Sequence, residues 1–159
     1  MDAKTPLASD AGFRPETFFV GRTEGAGVVR DVAGRVARRC TILTLGTRRE
    51  ADGALRFDET FTYDDGEVDI WRWTMTPGCE GRYMVAESSA GSGIVGHRVG
   101  EDYVVSFHRA VGRDPALRSL KFTTRFTLVA PDLALKAVKI TKFGAPMAAM
   151  AAFHRRVAG

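Results

Sequence analysis

The sequence has few of the residues that would indicate metal or redox chemistry. Its two cysteines, Cys40 and Cys79, form no Cys-x-x-Cys pair, so neither a disulfide framework nor a cysteine-type zinc site is expected. Its three histidines, His97, His108 and His154, are too dispersed to predict a ligand cluster from their spacing. We therefore predict no metal and no cofactor.

Long hydrophobic runs are also absent. The first fifteen residues contain Asp2, Lys4, Asp10 and Arg14 and no continuous apolar stretch, which is unlike a signal peptide or a membrane anchor. We therefore expect a cytoplasmic chain without a membrane segment. The net charge of +4 is small, and the basic residues accompany no helix-turn-helix or RNP-type aromatic motif. Nucleic-acid binding is accordingly not predicted.

The sequence contains instead a clear alternation of apolar and polar residues, most evident over residues 55–75. The alternation stops at Asp64-Asp65-Gly66 and then resumes, which indicates a β-hairpin with one buried face. Turn-forming residues recur about every ten residues, with β-rich segments between them. Sequential strands with short connections are antiparallel neighbours, and closing the sheet removes exposed edges. The sequence therefore predicts an all-β, antiparallel up-and-down barrel of about 8–10 strands.

The two ends of the chain are less regular than its middle. Residues 1–16 are polar and aperiodic, and we predict that they form a flexible arm before a single barrel domain over residues 17–159. Residues 145–157 are compatible with two structures. Their alanine content and Pro146 favour a helix, whereas a last strand would close the barrel.

The turn of the central hairpin decides which of its side chains face inward. A two-residue turn at Asp65-Gly66 would place both tryptophans opposite polar residues. A three-residue turn with a left-handed glycine pairs Tyr63 with Glu67 instead. We prefer the second register because it collects the aromatic residues on one face. That face then also includes a carboxylate, Glu59.

Glu59 is the most informative polar residue of this predicted inner face, because a buried carboxylate needs a partner, a proton or a solvated cavity. Two interpretations stay open. Glu59 forms an internal ion pair with Arg38 or Arg109, or it and such an arginine orient the polar end of a ligand in an aromatic pocket. The candidate ligand-binding residues are Phe57, Glu59, Phe61, Tyr63, Trp71, Trp73, Tyr83, Arg38 and Arg109.

Two other patterns resemble catalytic or cofactor sites without predicting their chemistry. Residues 91–96 read G-x-G-x-x-G, but a strand is predicted there, and a dinucleotide site needs a helix to hold the pyrophosphate. Glu59, Asp69 and His108 could act as a general acid/base set in a barrel cavity, although the sequence supports no such geometry. We assign no catalytic residue.

Several segments between residues 17 and 156 carry a resemblance to a known family. They are residues 18–21, 24–31 with Gly34, 57–67, 71–73, 81–83 and 142–144, of which the central hairpin is the most specific. These segments resemble an uncharacterised bacterial family, a domain of unknown function whose members are often described as lipoproteins. The resemblance implies a calycin-like barrel, similar in shape to lipocalins and fatty-acid-binding proteins, with a strand at the C-terminus. It implies no catalytic or binding residues.

The chain departs from that family at two places. The lipobox cysteine is absent, and residues 123–126 read Thr-Thr-Arg-Phe where an Asp-Asp-Trp-Met-like strand is typical of the family.

The predicted function is binding of a small hydrophobic or amphipathic, anionic or lipid-like ligand in a barrel cavity, with Arg38 or Arg109 contacting its headgroup. The alternative is a structural or interaction protein with a filled interior, which acts through its surface or as a homo-oligomer. A barrel enzyme with Glu59 as acid or base is a third hypothesis. The sequence does not specify whether the barrel is hollow, since this depends on strand number and tilt.

Overall fold

The computed structural model describes residues 12–111 and 119–159. Within them, ten antiparallel strands follow one short helix and close into a barrel, in which each strand pairs with its neighbours in sequence. The first and last strands pair with each other, which closes the sheet. The predicted all-β, up-and-down antiparallel barrel is confirmed. No helix in the described ranges is long and apolar enough to cross a membrane.

The elements in chain order are α1 Pro15–Phe18, β1 Gly21–Asp31, β2 Val36–Arg48, β3 Leu55–Tyr63, β4 Val68–Pro77, β5 Arg82–Glu87, β6 Gly91–Val99, β7 Asp102–Arg109, β8 Leu120–Ala130, β9 Leu133–Lys142 and β10 Ala145–Val157. The turns after β1, β3, β5 and β9 lie at one end of the barrel, because successive strands alternate in direction. The G-x-G-x-x-G motif lies in strand β6, so its glycines precede no helix that could bind a pyrophosphate.

The central hairpin, β3 and β4, has the predicted register. Tyr63 donates its backbone N–H to the Glu67 carbonyl at 2.9 Å, and Gly66 has a φ of +86°. Glu59 lies opposite Trp71 in this register. Burial alternates along β3, and Glu59 is 1% exposed, so the three-residue turn places this carboxylate inside the barrel.

The C-terminal segment, for which the sequence left helix and strand open, is strand β10. It pairs with β9 on one side and with β1 on the other, and so closes the barrel. A Cβ atom at Gly25 of β1 would overlap the carbonyl oxygen of Phe153 in β10. Glycine in β1 therefore permits the close approach of the last strand. In β10, the hydrogen bonds to strands on both sides outweigh the helix propensity of its alanines.

Residues 12–19, which we call the N-terminal plug, close the end of the barrel opposite to those turns. Phe13, Phe18 and Phe19 are buried in the core. Phe13 stacks on Phe126 with ring centroids 4.9 Å apart, and Phe19 stacks on Phe57 at 4.5 Å. Aromatic pairs at these separations add to the gain from burial.

Polar contacts fix the same plug to the barrel wall. The Tyr83 hydroxyl donates a hydrogen bond to Glu16 at 2.9 Å, and the Phe13 backbone N–H donates to the Glu101 carbonyl at 2.9 Å. Residues 12–16 belong to the arm predicted over residues 1–16, and two of them, Phe13 and Pro15, are buried against the barrel. Residues 1–11 lie outside the described residues.

Candidate functional site

Between the plug and the opposite end, the barrel contains a cavity of about 260 Å³. Its walls combine aliphatic side chains, such as those of Val105 and Val138, with eight aromatic ones: Phe57, Phe61, Tyr63, Trp71, Trp73, Phe107, Phe122 and Phe126. At the end away from the plug, the lining residues Arg38, Tyr63 and Met147 are partly exposed. We call this end the mouth, since the cavity meets solvent there.

The aromatic walls are packed against one another. Trp71 and Trp73 stack with centroids 6.0 Å apart, and Phe107 and Phe122 stack at 5.5 Å. Trp71 meets Phe122 edge-on at 5.2 Å. Each ring is thereby held by its neighbours, so the cavity is preformed rather than created by mobile side chains.

A buried ion pair lies on the floor of the cavity, just above the plug. Lys136 Nζ donates a hydrogen bond to Glu59 Oε2 at 2.7 Å, and the two side chains are 7% and 2% exposed. The ammonium also lies 5.0 Å from the ring centroid of Phe61 and 5.5 Å from that of Phe126, within the range of a cation–π interaction. Both charged groups line the cavity, as do the polar side chains of Asp69 and Thr124 and, at the mouth, Arg38.

His154 of strand β10 lies beside this ion pair. Its Nε2 lies 3.5 Å from Glu59 Oε2, and its Nδ1 lies 3.4 Å from the hydroxyl of Thr23, which in turn contacts Thr44 at 2.5 Å. Burial, and secondarily the positive charge of Lys136, lower the pKa of His154 well below its usual value. The imidazole is therefore neutral at pH 7.

We expect His154 to make the stability of the barrel depend on pH. Histidine in an unfolded chain titrates near pH 6.5, whereas the native imidazole stays neutral, so only the unfolded state gains this proton as the pH falls. The free energy of unfolding should therefore decrease below about pH 6.5, by at most about 1.4 kcal/mol per pH unit from this group. Above about pH 7 the contribution is constant.

Urea denaturation at a series of pH values between about 5 and 7 measures this slope. The His154→Gln variant should lose the slope in this interval, whatever its absolute stability. His97→Gln, at an exposed site, is the matched control and should keep it. Equal slopes in wild type and His154→Gln would show that His154 takes up a proton as readily in the native state as in the unfolded state.

Arg38 lies at the mouth of the cavity and already has acidic partners. Its guanidinium is 2.9 Å from Asp65 and 3.0 Å from Glu67, both in or beside the turn between β3 and β4. It also stacks on the ring of Tyr63 at 3.6 Å from the centroid. The charge of Arg38 is thus compensated before any ligand arrives.

Arg109 lies behind the aromatic wall rather than in it. Its guanidinium covers the Trp71 ring at 3.8 Å from the centroid and pairs with Glu87 at 3.2 Å and Asp69 at 3.3 Å. The Trp71 indole N–H donates to the same Asp69 carboxylate at 2.7 Å. The group therefore fixes the orientation of the Trp71 ring that faces the cavity.

Glu87 is held in its charged form within this group. Burial disfavours the carboxylate, but hydrogen bonds from the backbone N–H groups of Ala90 and Ser89 and the charge of Arg109 lower the pKa of Glu87 overall. Both backbone bonds are 2.7 Å long. Arg109 thus has a permanently ionised partner at neutral pH.

The structure brings most of the predicted site residues to the cavity: Phe57, Glu59, Phe61, Tyr63, Trp71, Trp73 and Arg38. Tyr83 does not line it, because its ring packs on Tyr103 and its hydroxyl binds the plug residue Glu16. Arg109 is separated from it by the Trp71 ring.

Two interactions that the sequence made conceivable for Glu59 do not form. It does not pair with Arg38 or Arg109, since both arginines bind other carboxylates and Lys136 reaches Glu59 instead. The acid/base set with His108 does not form, because His108 points outward and is exposed. In the described ranges, no group of three His, Cys, Asp or Glu side chains could hold a metal ion.

Sequence reasoning missed Lys136 and His154. Both stand at inward positions of an alternating strand, Lys136 between Ala134 and Val138, and His154 two residues after Ala152. A strict count of every second residue in β9 and β10 would have placed both inside the barrel. The outward residues of these strands obscure the pattern, since Leu135 and Phe153 are themselves hydrophobic.

Solved structures with the same fold exist, although no curated protein matches the sequence. The S-type phycobiliprotein lyase CPES from Guillardia theta is similar with a TM-score of 0.65 and 14% identity, over 88% of this chain and 89% of that one. A protein of unknown function from the DUF3598 family of Nostoc punctiforme is similar with a TM-score of 0.64 and 14% identity, over 98% of this chain but 53% of that one. This chain thus spans about half the length of the Nostoc protein.

The barrel EF1p2_mFAP2b, whose structure was solved bound to DFHBI, is also similar, with a TM-score of 0.51 and 10% identity over 91% of this chain and 98% of that one. At such low identities these similarities show the fold alone, a lipocalin-like barrel.

The family is shown by the sequence itself. The sequence model described as a protein of unknown function (DUF3833) matches residues 2–156, nearly the full length. This match confirms the predicted resemblance to a domain-of-unknown-function family with a calycin-like barrel. The chain therefore belongs to the DUF3833 family.

Proposed function

We propose that this protein binds a small, mainly hydrophobic ligand with one polar group inside its barrel. The cavity itself carries the proposal: it is preformed, lined by aromatic rings, closed by the plug and open at the mouth. Binding sites for small molecules are typically concave and apolar, with a few convergent polar groups. Glu59 and Lys136 provide such groups at the floor.

The volume favours a compact ligand. The cavity of about 260 Å³ is close to the lower end of typical ligand pockets, about 300 Å³. An engineered cavity of about 150 Å³ already binds benzene. A ligand of one or two rings, or a short chain, therefore fits better than a long lipid.

The charges of the cavity favour a neutral ligand over the anionic one expected from the sequence. Each cation of the lining is already paired, Lys136 with Glu59 and Arg38 with Asp65 and Glu67. A carboxylate ligand at the floor would bring a second negative charge close to Glu59, which is costly in a buried site. A barrel of similar fold that is bound to DFHBI supports the general idea of an interior ligand.

The only two tryptophans of the chain, Trp71 and Trp73, line the cavity and report on its occupancy. We expect methyl 2-naphthoate, a neutral bicyclic ester, to change their fluorescence in a saturable, one-site titration. The anion 2-naphthoate should bind at least about tenfold more weakly, a difference of about 1.4 kcal/mol. Calorimetry with both compounds gives an independent affinity.

Two substitutions on strand β9 locate the ligand. Val138→Phe adds a ring inside the cavity and should weaken binding of the ester at least about tenfold by occupying its volume. Leu135→Phe adds a ring to the exposed outer face of the same strand and should leave the affinity unchanged. Equal affinities in the two variants would place the binding site outside the barrel. An absence of saturable binding to the wild type would instead favour a protein that acts through its surface.

A further inference from the structure

We propose that Lys136 is an attachment site for a small aromatic aldehyde, which it binds as a reversible imine. The inference rests on the proposed function, because the aldehyde must first enter the cavity. It adds the chemical class of the ligand and a covalent bond to a named atom, Lys136 Nζ.

The position of Lys136 sets it apart from the other described lysines. Lys121 and Lys139 are exposed and Lys142 is partly exposed, whereas Lys136 is buried and lines the cavity between the rings of Phe61 and Phe126. An ammonium group has three N–H donors, and within the described residues Nζ makes one hydrogen bond, to Glu59. The amine is therefore held by one hydrogen bond and by its position between two aromatic rings, and its other N–H groups have no hydrogen-bond acceptor among the described residues.

The charge of the site selects an aldehyde from the possible polar groups. A carboxylate would add a second negative charge beside Glu59, and an amine would add a second positive charge beside Lys136. An aldehyde adds no charge, and its carbonyl carbon is an electrophile that an amine attacks. The aromatic walls above Lys136 match the flat ring of an aromatic aldehyde.

Glu59 and His154 can receive the proton that Lys136 must lose: Glu59 accepts it, and His154 stabilises the protonated Glu59 carboxyl. Glu59 Oε2 is 2.7 Å from Lys136 Nζ, so it can take the ammonium proton directly. His154 is fully buried, and its Nε2 has no hydrogen-bond partner among the described residues, although it lies 3.5 Å from the same oxygen. This unpartnered nitrogen can accept a hydrogen bond from Glu59 once that carboxyl is protonated.

The reaction balances with these groups alone. Glu59 takes a proton from the Lys136 ammonium, and the freed lone pair attacks the aldehyde carbon while the carbonyl π pair moves to oxygen. A proton passes from that nitrogen to the oxygen, which gives a neutral carbinolamine. Glu59 then returns its proton to the hydroxyl group, water leaves, and the nitrogen lone pair forms the C=N bond. The product is a protonated imine beside the Glu59 carboxylate, so one ammonium and one aldehyde become one iminium and one water.

The experiment treats the full-length protein with 2-naphthaldehyde and sodium cyanoborohydride, which reduces an imine to a stable amine. Peptide mass spectrometry then locates the added naphthylmethyl group. We expect Lys136 to be modified at least about tenfold faster than Lys121 or Lys139, because binding in the cavity holds the aldehyde beside the amine. Modification in guanidinium chloride, where the cavity is lost, should make the rates similar.

Methyl 2-naphthoate separates the failure of this inference from the failure of the proposed function, since the ester has the same ring system and forms no imine under these conditions. Protection of Lys136 by excess ester would support both. Saturable ester binding without preferential modification of Lys136 would overturn the imine and leave the proposed ligand site intact. Modification of the exposed lysines alone, with no ester binding, would overturn both.

A charge-matched variant tests the lysine directly. The double substitution Glu59→Gln with Lys136→Met removes both charges together and should abolish the cavity adduct, while the exposed Lys121 and Lys139 should still be modified at their wild-type rates. Lys139→Met on the outer face of the same strand should leave modification of Lys136 unchanged. If the double variant does not fold, the position of the adduct in the wild-type protein still decides the question.

Discussion

The single substitution Lys136→Met should lower the free energy of unfolding by about 3–5 kcal/mol, although methionine is nearly as long as lysine and more hydrophobic. The loss is expected because Glu59 stays buried, 1% exposed, without its 2.7 Å partner. The remaining neighbour, His154, is neutral at pH 7 and does not replace the missing charge. Urea denaturation followed by tryptophan fluorescence and by circular dichroism measures the change.

The double variant Glu59→Gln with Lys136→Met provides the internal comparison. Removing both charges should recover most of the lost stability, because replacing a whole buried ion pair by uncharged groups often changes the free energy of unfolding little. Lys139→Met, on the outer face of the same strand, should change stability by less than about 0.5 kcal/mol. If the double variant is as unstable as Lys136→Met, Lys136 stabilises the barrel by something other than its ion pair with Glu59.

The substitution Phe19→Ala should lower the free energy of unfolding by a similar amount, about 3–5 kcal/mol. Phe19 is fully buried, stacks on Phe57 and meets Phe126 edge-on with centroids 5.5 Å apart. Its ring also covers His154 at 5.6 Å, so its removal opens the floor of the cavity to water from the plug side. We therefore expect a second effect, a partial recovery of the pKa of His154 toward its usual value, because burial is the main cause of its lowering.

Chemical denaturation gives the stability loss, and the chemical shifts of His154 in an NMR titration give its pKa. Phe153→Ala is the matched control, because Phe153 is exposed on the outer face of β10 beside His154 in sequence. It should cost less than about 1 kcal/mol and leave the titration unchanged. Similar losses in the two alanine variants would mean that the plug is not part of the cooperative core.

The fold could be predicted from the sequence because its determinants are local. Alternation along β3 and β4 and the three-residue turn at Gly66 together specify which side of the hairpin is buried, and this correctly placed Glu59 inside. The C-terminal segment was undecided because its local signals conflict. Alanine favours helix, while the need to close the sheet is visible only at the level of the whole barrel.

The site could be predicted only in part, because its contacts join strands that are not neighbours. Glu59 on β3 and Lys136 on β9 meet across the barrel interior, and no pattern within either strand specifies that meeting. The plug was missed for a related reason. Phe13 is a single aromatic residue in a polar segment, and its role in the core follows only from its stacking on the distant Phe126. The volume of the cavity depends on how all these side chains pack, which periodicity does not describe.

The pairing of β1 with β10 also bears on how the chain is made. During synthesis β1 emerges early, and its outer edge has no partner until residues 145–157 have left the ribosome, since Thr23 pairs with Arg156 and Val29 with Met150. The nascent protein is therefore an open sheet with two unpaired edges, on β1 and on the most recent strand, and such edges can pair with other chains. Contacts between the two ends of a sequence also form slowly. The incomplete sheet therefore stays open to pairing with other chains until its last strand is available.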